Sequence, residues 1–206
     1  MKSKKADKAA SRIPTVKQIE EGLYFDFEGF GQNQYNKSPK PILCGYRFGG
    51  IGPVRFAVFN DDFRWAAEDD KSGTIEFIGR GEEKKKFLLD LIERRTSGGK
   101  KIFYFSSHEK DEFDKVLGIQ IRSRLRDVRR IMKKTLPELK RKHRTLVNYC
   151  ERVGISVPRN YGKGEVTEKF RKVRDYSKTK SGWSAAPKEI KNQWDLILAH
   201  NRFDVE

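Results

Sequence analysis

Apolar side chains follow two different periods along this chain, and the changes between them predict its elements. Over residues 22–28 they alternate, with Leu23, Phe25 and Phe27 on one side and Tyr24, Asp26 and Glu28 on the other. That is the two-residue period of a half-buried strand. Residues 29–41 are polar, with Gly29, Gly31, Pro39 and Pro41, and read as a loop. Ile42 to Phe48, ended by Gly49-Gly50, reads as a second strand and Val54 to Phe59 as a third. Strands so closely spaced pair antiparallel. Residues 60–73 are acidic and loop-like, and Thr74 to Ile78 reads as a short edge strand.

From Glu82 the period lengthens. Phe87, Leu88, Leu91 and Ile92 form one stripe of a helix that runs to Arg95, with acids at its start, Arg94-Arg95 at its end and Ser97-Gly98-Gly99 as its stop. Lys101 to Phe105 is again strand-like, and a strand reached through a helical crossover lies parallel to the strand it joins. Ser106-Ser107 cap a helix with His108 to Leu117 as its body. Residues 118–146 read as a very basic helix with Ile121, Leu125, Val128, Ile131 and Met132 as its apolar side; Leu146 to Val153 continue it as far as Gly154. Residues 158–187, with prolines, glycines and many cations, read as a long loop or insertion. Lys188 to Val205 forms the last helix, with Ile190, Trp194, Ile197 and Leu198 inward. The expected fold is α/β: a mixed sheet of three antiparallel strands plus parallel strands, flanked by helices. Residues 1–20 are expected as a basic flexible tail, disordered over the first twelve, and 21–206 as a single domain with a basic insertion at about 158–187.

Charge narrows the class of partner. The 206 residues carry 45 Lys and Arg against 29 Asp and Glu, a net charge of +16. Such an excess favours a polyanion, and nucleic acid is the first candidate. Around Arg122 to Arg144 few acids interrupt the cations, so Arg126, Arg129, Arg130 and Lys133 are expected on a phosphate-binding stripe. In the insertion Arg171 and Lys172 lie near Tyr176, a pairing of backbone-binding cations with a ring that can stack on a base. The bland alternatives are a solvated helix face and a small aromatic subdomain. The two cysteines, Cys44 and Cys150, lie far apart, which excludes a disulfide scaffold or a cysteine zinc site and suits a reducing, cytoplasmic compartment. The basic start is not followed by an apolar segment and so is no secretory signal. No run approaches the ~20 apolar residues of a membrane helix, so no membrane partner is expected. A protein partner is left open.

The chemistry rests on acids placed where apolar residues belong. Asp26 and Glu28 share a strand face, and His200 and Asp204, four apart, share a helix face. Three carboxylates and a histidine that met would make a site for a hard cation. An Asp-x-Glu pair also occurs on solvated strand faces, but a strand with Leu23, Phe25 and Phe27 on its other side is too apolar for that to be the better reading.

That order of elements, with Asp26-Phe27-Glu28 on the first strand and His200 four residues before Asp204 on the last helix, resembles the DEDD exonuclease superfamily of the ribonuclease H-like fold. The context Leu196-Ile197-Leu198-Ala199-His200-Asn201-Arg202-Phe203-Asp204-Val205 is similar to the tail of its predicted ribonuclease H-like exonuclease branch. For the middle motif the family has an asparagine four residues before an aspartate; this chain has Phe105-Ser106-Ser107-His108-Glu109 there. Glu109 stands in the acid's place, with Asp111, Asp114 and the more distant Asp127 as alternatives. The resemblance spans about residues 22–205 and implies two Mg²⁺ or Mn²⁺ ions about 3.5–4 Å apart. Asp26 would bridge them, Glu28 and Asp204 would complete the ligand sets, and Glu109 would hold the outer ion. His200 would be the general base toward water. It also implies hydrolysis of terminal phosphodiesters of DNA or RNA in the 3′ to 5′ direction. The competing expectations are a non-catalytic nucleic-acid-binding module on a degenerate fold of this kind and an endonuclease or junction nuclease.

Overall fold

Leu23–Glu28 forms the strand the alternation predicts: β1 buries Leu23, Phe25 and Phe27 and leaves Tyr24, Asp26 and Glu28 half-buried. The computed structural model describes residues 13–30, 40–93, 99–117, 121, 123–139, 145–158, 161, 165–179 and 182–206. The other strands are β2 (Leu43–Phe48), β3 (Arg55–Val58), β4 (Ile75–Phe77), β5 (Ile102–Tyr104) and β6 (Leu125–Asp127). They make one six-stranded sheet in the order β4-β3-β2-β1-β5-β6.

The direction of each pairing follows from its connection. The β2–β3 pair is antiparallel, from Leu43 opposite Val58 to Tyr46 opposite Arg55. Ile42 N–H donates to Glu28 O and Gly49 N–H to Gly22 O, each at 2.8 Å, so β1 and β2 are antiparallel too. Past the crossover helix the sheet becomes parallel, with Leu23 opposite Ile102 and Ile102 opposite Leu125. The edge strand β4 is parallel to β3. The protein is therefore an α/β fold on a mixed sheet flanked by helices.

The helices are α1 (Val16–Glu20), α2 (Arg64–Glu68), α3 (Glu82–Glu93), α4 (Ser107–Leu117), α5 (Val128–Thr135), α6 (Leu146–Arg152), α7 (Glu165–Ser177) and α8 (Lys188–Val205), with a 3₁₀ turn at Asp61–Phe63. Four of these correct the reading of the sequence: residues 60–73, expected as a loop, contain the 3₁₀ turn, which starts where Asn60 accepts the Asp62 N–H, and α2. Residues 16–20, expected in the flexible tail, are helical because Thr15 and Gln18 form a reciprocal capping box. Residues 118–146 are not one helix: all three residues of β6 are buried, and Asp127 then accepts the Arg130 N–H and starts α5. Leu125 and Val128 suggested a helical stripe but belong to different elements. The expected loop at 158–187 contains α7, whose Val166, Phe170 and Val173 are buried at helical spacing beneath its many cations. Residues 118–120, 122, 140–144, 159–160, 162–164 and 180–181 of these two expectations lie outside the described residues.

The chain divides into two compact units. The first takes residues 1–25, 48–52 and 88–159, and its core stacks Tyr24 on Phe103 at 4.9 Å and sets Phe25 edge-on to Phe113 at 5.2 Å. The second takes residues 26–47, 53–87 and 160–206. There Phe63 is stacked on Trp194 at 5.9 Å and meets Phe170 edge-on at 5.3 Å. Among the described residues no helix is long and apolar enough to cross a membrane.

Candidate metal centre

The second unit brings the end of β1 against α8. Along α8 the buried residues are Trp194, Ile197, Asn201 and Val205, one helical stripe. His200 and Asp204 each precede one of these by a single residue, so they lie on the flank of the buried stripe, half-buried rather than in the core. Gly45 on β2 admits this stripe. A Cβ on Gly45 would lie 1.8 Å from Asn201 Oδ1 and 3.0 Å from Val205 Cγ2, so only glycine lets α8 approach here.

Glu28, His200 and Asp204 converge, with one ligand atom of each within 4.8 Å of the other two. His200 Nε2 is 3.5 Å from Glu28 Oε1 and 3.6 Å from Asp204 Oδ2. Tyr161 lies parallel to the imidazole at 4.1 Å between centroids and meets Phe203 edge-on, which fixes the ring's plane. Asp26 stands on the same strand face as Glu28 and is held differently: Asn201 Nδ2 donates to its carboxylate and lies 3.3 Å from its carbonyl oxygen. Asn201 is fully buried. The sequence reading placed Asn201 only in the context of the C-terminal motif; its role follows from the helical offset that turns it inward beside His200. Tyr161 had a weaker signal, being one of several aromatics in the basic insertion.

Removing the Asn201 amide should therefore release Asp26 and leave a hole beneath it. Asn201→Ala is expected to destabilise the protein by about 1–3 kcal/mol, the usual effect of deleting one partner of a buried polar contact. Urea unfolding would measure this, and a change below about 0.5 kcal/mol would show that the contact does not restrain Asp26.

Burial is the main cause that lowers the His200 pKa, to about 4, with Lys169 adding to the effect and Glu165 opposing it. The folded-state value lies below the ordinary 6.5, so the unfolded chain binds the extra proton first as pH falls. The metal-free protein should hold this contribution at pH 7 and lose it between about 6.5 and 4. An NMR titration of the His200 ring should give a midpoint well below 6.5; a midpoint above it would identify an ion-paired imidazolium instead.

The acid expected from the middle of the chain belongs to the first unit. Glu109 is in the first unit, 2 % exposed, and accepts the Ser106 N–H at 2.8 Å while Ser106 Oγ accepts from His108 N–H at 3.1 Å. That is a reciprocal cap on α4. Of its alternatives, Asp111 is exposed, Asp114 pairs with Lys110 at 2.6 Å, and Asp127 caps α5 and pairs with Arg130 at 3.1 Å. None of these four belongs to the Glu28–His200–Asp204 group. In the expected phosphate-binding set, Arg126 is buried and donates to the Ser123 and Leu125 carbonyls, so its guanidinium supports the chain turn before β6 and is no surface contact. Arg129, Arg130 and Lys133 are exposed along α5, and Arg171 and Lys172 along α7; Tyr176 is half-buried. Arg130 and Lys172 are also engaged with Asp127 and Glu168.

The donor set of Glu28, His200 and Asp204 suits one divalent cation, since two anionic oxygens and a neutral imidazole can meet a small ion together. No protein-family model, no curated protein and no solved structure shows significant similarity to this chain.

Proposed function

We propose that the protein is a metal-dependent nuclease of the ribonuclease H-like type, with Glu28 and Asp204 holding a divalent ion beside His200 and nucleic acid as substrate. The observation that carries this reading is the convergence of Glu28 on β1 with His200 and Asp204 on α8, two elements far apart in the chain. The sheet adds support: three antiparallel strands, β3, β2 and β1, followed by the parallel β5 and β6, match the arrangement expected for that fold. The net charge of +16 gives a polyanion reason to bind.

A divalent ion at this place would supply a Lewis acid for a phosphoryl oxygen and a water of lowered pKa. Glu28 and Asp204 would provide charge to hold it. His200, kept neutral by burial, would present an unprotonated Nε2 to the same point. Asn201 would orient Asp26, the carboxylate available on that strand face for a second ion. The exposed cations of α5 and α7 would bind backbone phosphates without reading sequence.

Incubating the metal-free protein with end-labelled single- and double-stranded DNA and RNA, with and without Mn²⁺ or Mg²⁺, tests the reading. Stepwise shortening from the 3′ end that stops with chelator is expected. Cleavage of closed circles would make the enzyme an endonuclease, and binding without cleavage under every metal would leave only a nucleic-acid-binding module.

A further inference from the structure

We infer that His200 is itself a ligand of the metal, so that the centre selects an imidazole-binding transition ion such as Mn²⁺ or Zn²⁺ over Mg²⁺. This rests on the metal site proposed above and assigns the lone pair of His200 to the ion rather than to a proton from water.

Three observations carry it. First, Nε2 stands at nearly equal distances from the two carboxylates, 3.5 Å from Glu28 Oε1 and 3.6 Å from Asp204 Oδ2. Those separations are too long for good hydrogen bonds. They are what two ligands of one ion have, because donors each about 2.1 Å from a shared centre lie at most about 4.2 Å apart. Second, a general base needs its nitrogen beside water bound outside the ligand set, whereas this nitrogen lies among the carboxylate oxygens themselves, within 4.8 Å of both. Third, Tyr161, stacked at 4.1 Å and 8° from parallel, restrains the plane of the imidazole ring. Neighbours that fix ligand orientation are a regular part of metal sites. Imidazole suits Zn²⁺ and the later first-row ions best and Mn²⁺ less, while Mg²⁺ prefers oxygen and keeps its waters.

The test is metal binding, read without any cleavage assay. Calorimetric titration of the metal-free protein with MnCl₂ and MgCl₂ should give at least about tenfold tighter binding of Mn²⁺. His200→Ala should weaken Mn²⁺ by at least about tenfold and change Mg²⁺ little. Tyr161→Leu should weaken Mn²⁺ by about tenfold, with Tyr161→Phe retaining it. Should His200→Ala fail to fold, electron spin echo spectra of the Mn²⁺-loaded wild-type protein decide the matter, because a coordinated imidazole adds ¹⁴N modulation. Equal affinities for the two ions, Mn²⁺ binding indifferent to His200, or no ¹⁴N modulation would each overturn the inference. Mn²⁺ bound through His200 with no cleavage of any polynucleotide would uphold it and sink the nuclease reading. Metal-dependent cleavage with Mn²⁺ affinity untouched by His200→Ala would do the reverse.

Discussion

On the proposed nuclease reading, Asp204→Asn should reduce metal-stimulated cleavage by about 100- to 1000-fold while leaving the protein folded. The loss follows from charge. A carboxylate that holds the ion contributes to several kcal/mol of transition-state stabilisation, and each 1.36 kcal/mol is about tenfold in rate. The amide keeps the shape of the side chain but not its charge. The fold is kept because the amide fills the same space on the flank of the buried stripe of α8. Rates from single-turnover cleavage, with melting of the metal-free variant alongside, check both halves. A variant that melts lower and cleaves as well as the wild type would show Asp204 to be structural.

The largest effect on stability is expected from Phe170→Ala. Phe170 is fully buried and meets Phe63 edge-on at 5.3 Å and Phe30 at 6.2 Å, which ties α7 to the core under α8. Truncating a buried phenylalanine costs about 3–5 kcal/mol. For a chain of this size each kcal/mol moves the melting temperature by about 2–4 °C, so a fall of roughly 6–20 °C is expected. Scanning calorimetry measures it. A shift below about 2 °C would mean that α7 does not pack there.

Much of this was legible in the residues themselves. Strict alternation from Leu23 to Glu28 made β1 and its inward and outward faces readable, and with them the shared face of Asp26 and Glu28. The spacing of His200 and Asp204 made their common helix face equally readable. Elements without a period of their own were not. β6 is three residues long and buried throughout, so it shows no alternation and its leucine merged into a helical stripe. On α7 the apolar stripe of Val166, Phe170 and Val173 was hidden by the surrounding cations. Glu109 lay where a family acid was expected, yet a buried glutamate three residues after a serine equally forms a helix cap, and a sequence does not separate the two. The clamp of Asn201 on Asp26 depends on which way a long helix is rotated against a glycine on β2. No local pattern records that rotation.

The most direct test of the proposed metal centre is a crystal soaked in Mn²⁺ and measured for anomalous scattering. The account predicts a peak with Glu28 Oε1, His200 Nε2 and Asp204 Oδ2 around it at about 2.0–2.3 Å. A map with strong Mn²⁺ peaks elsewhere and none among these three side chains would contradict it.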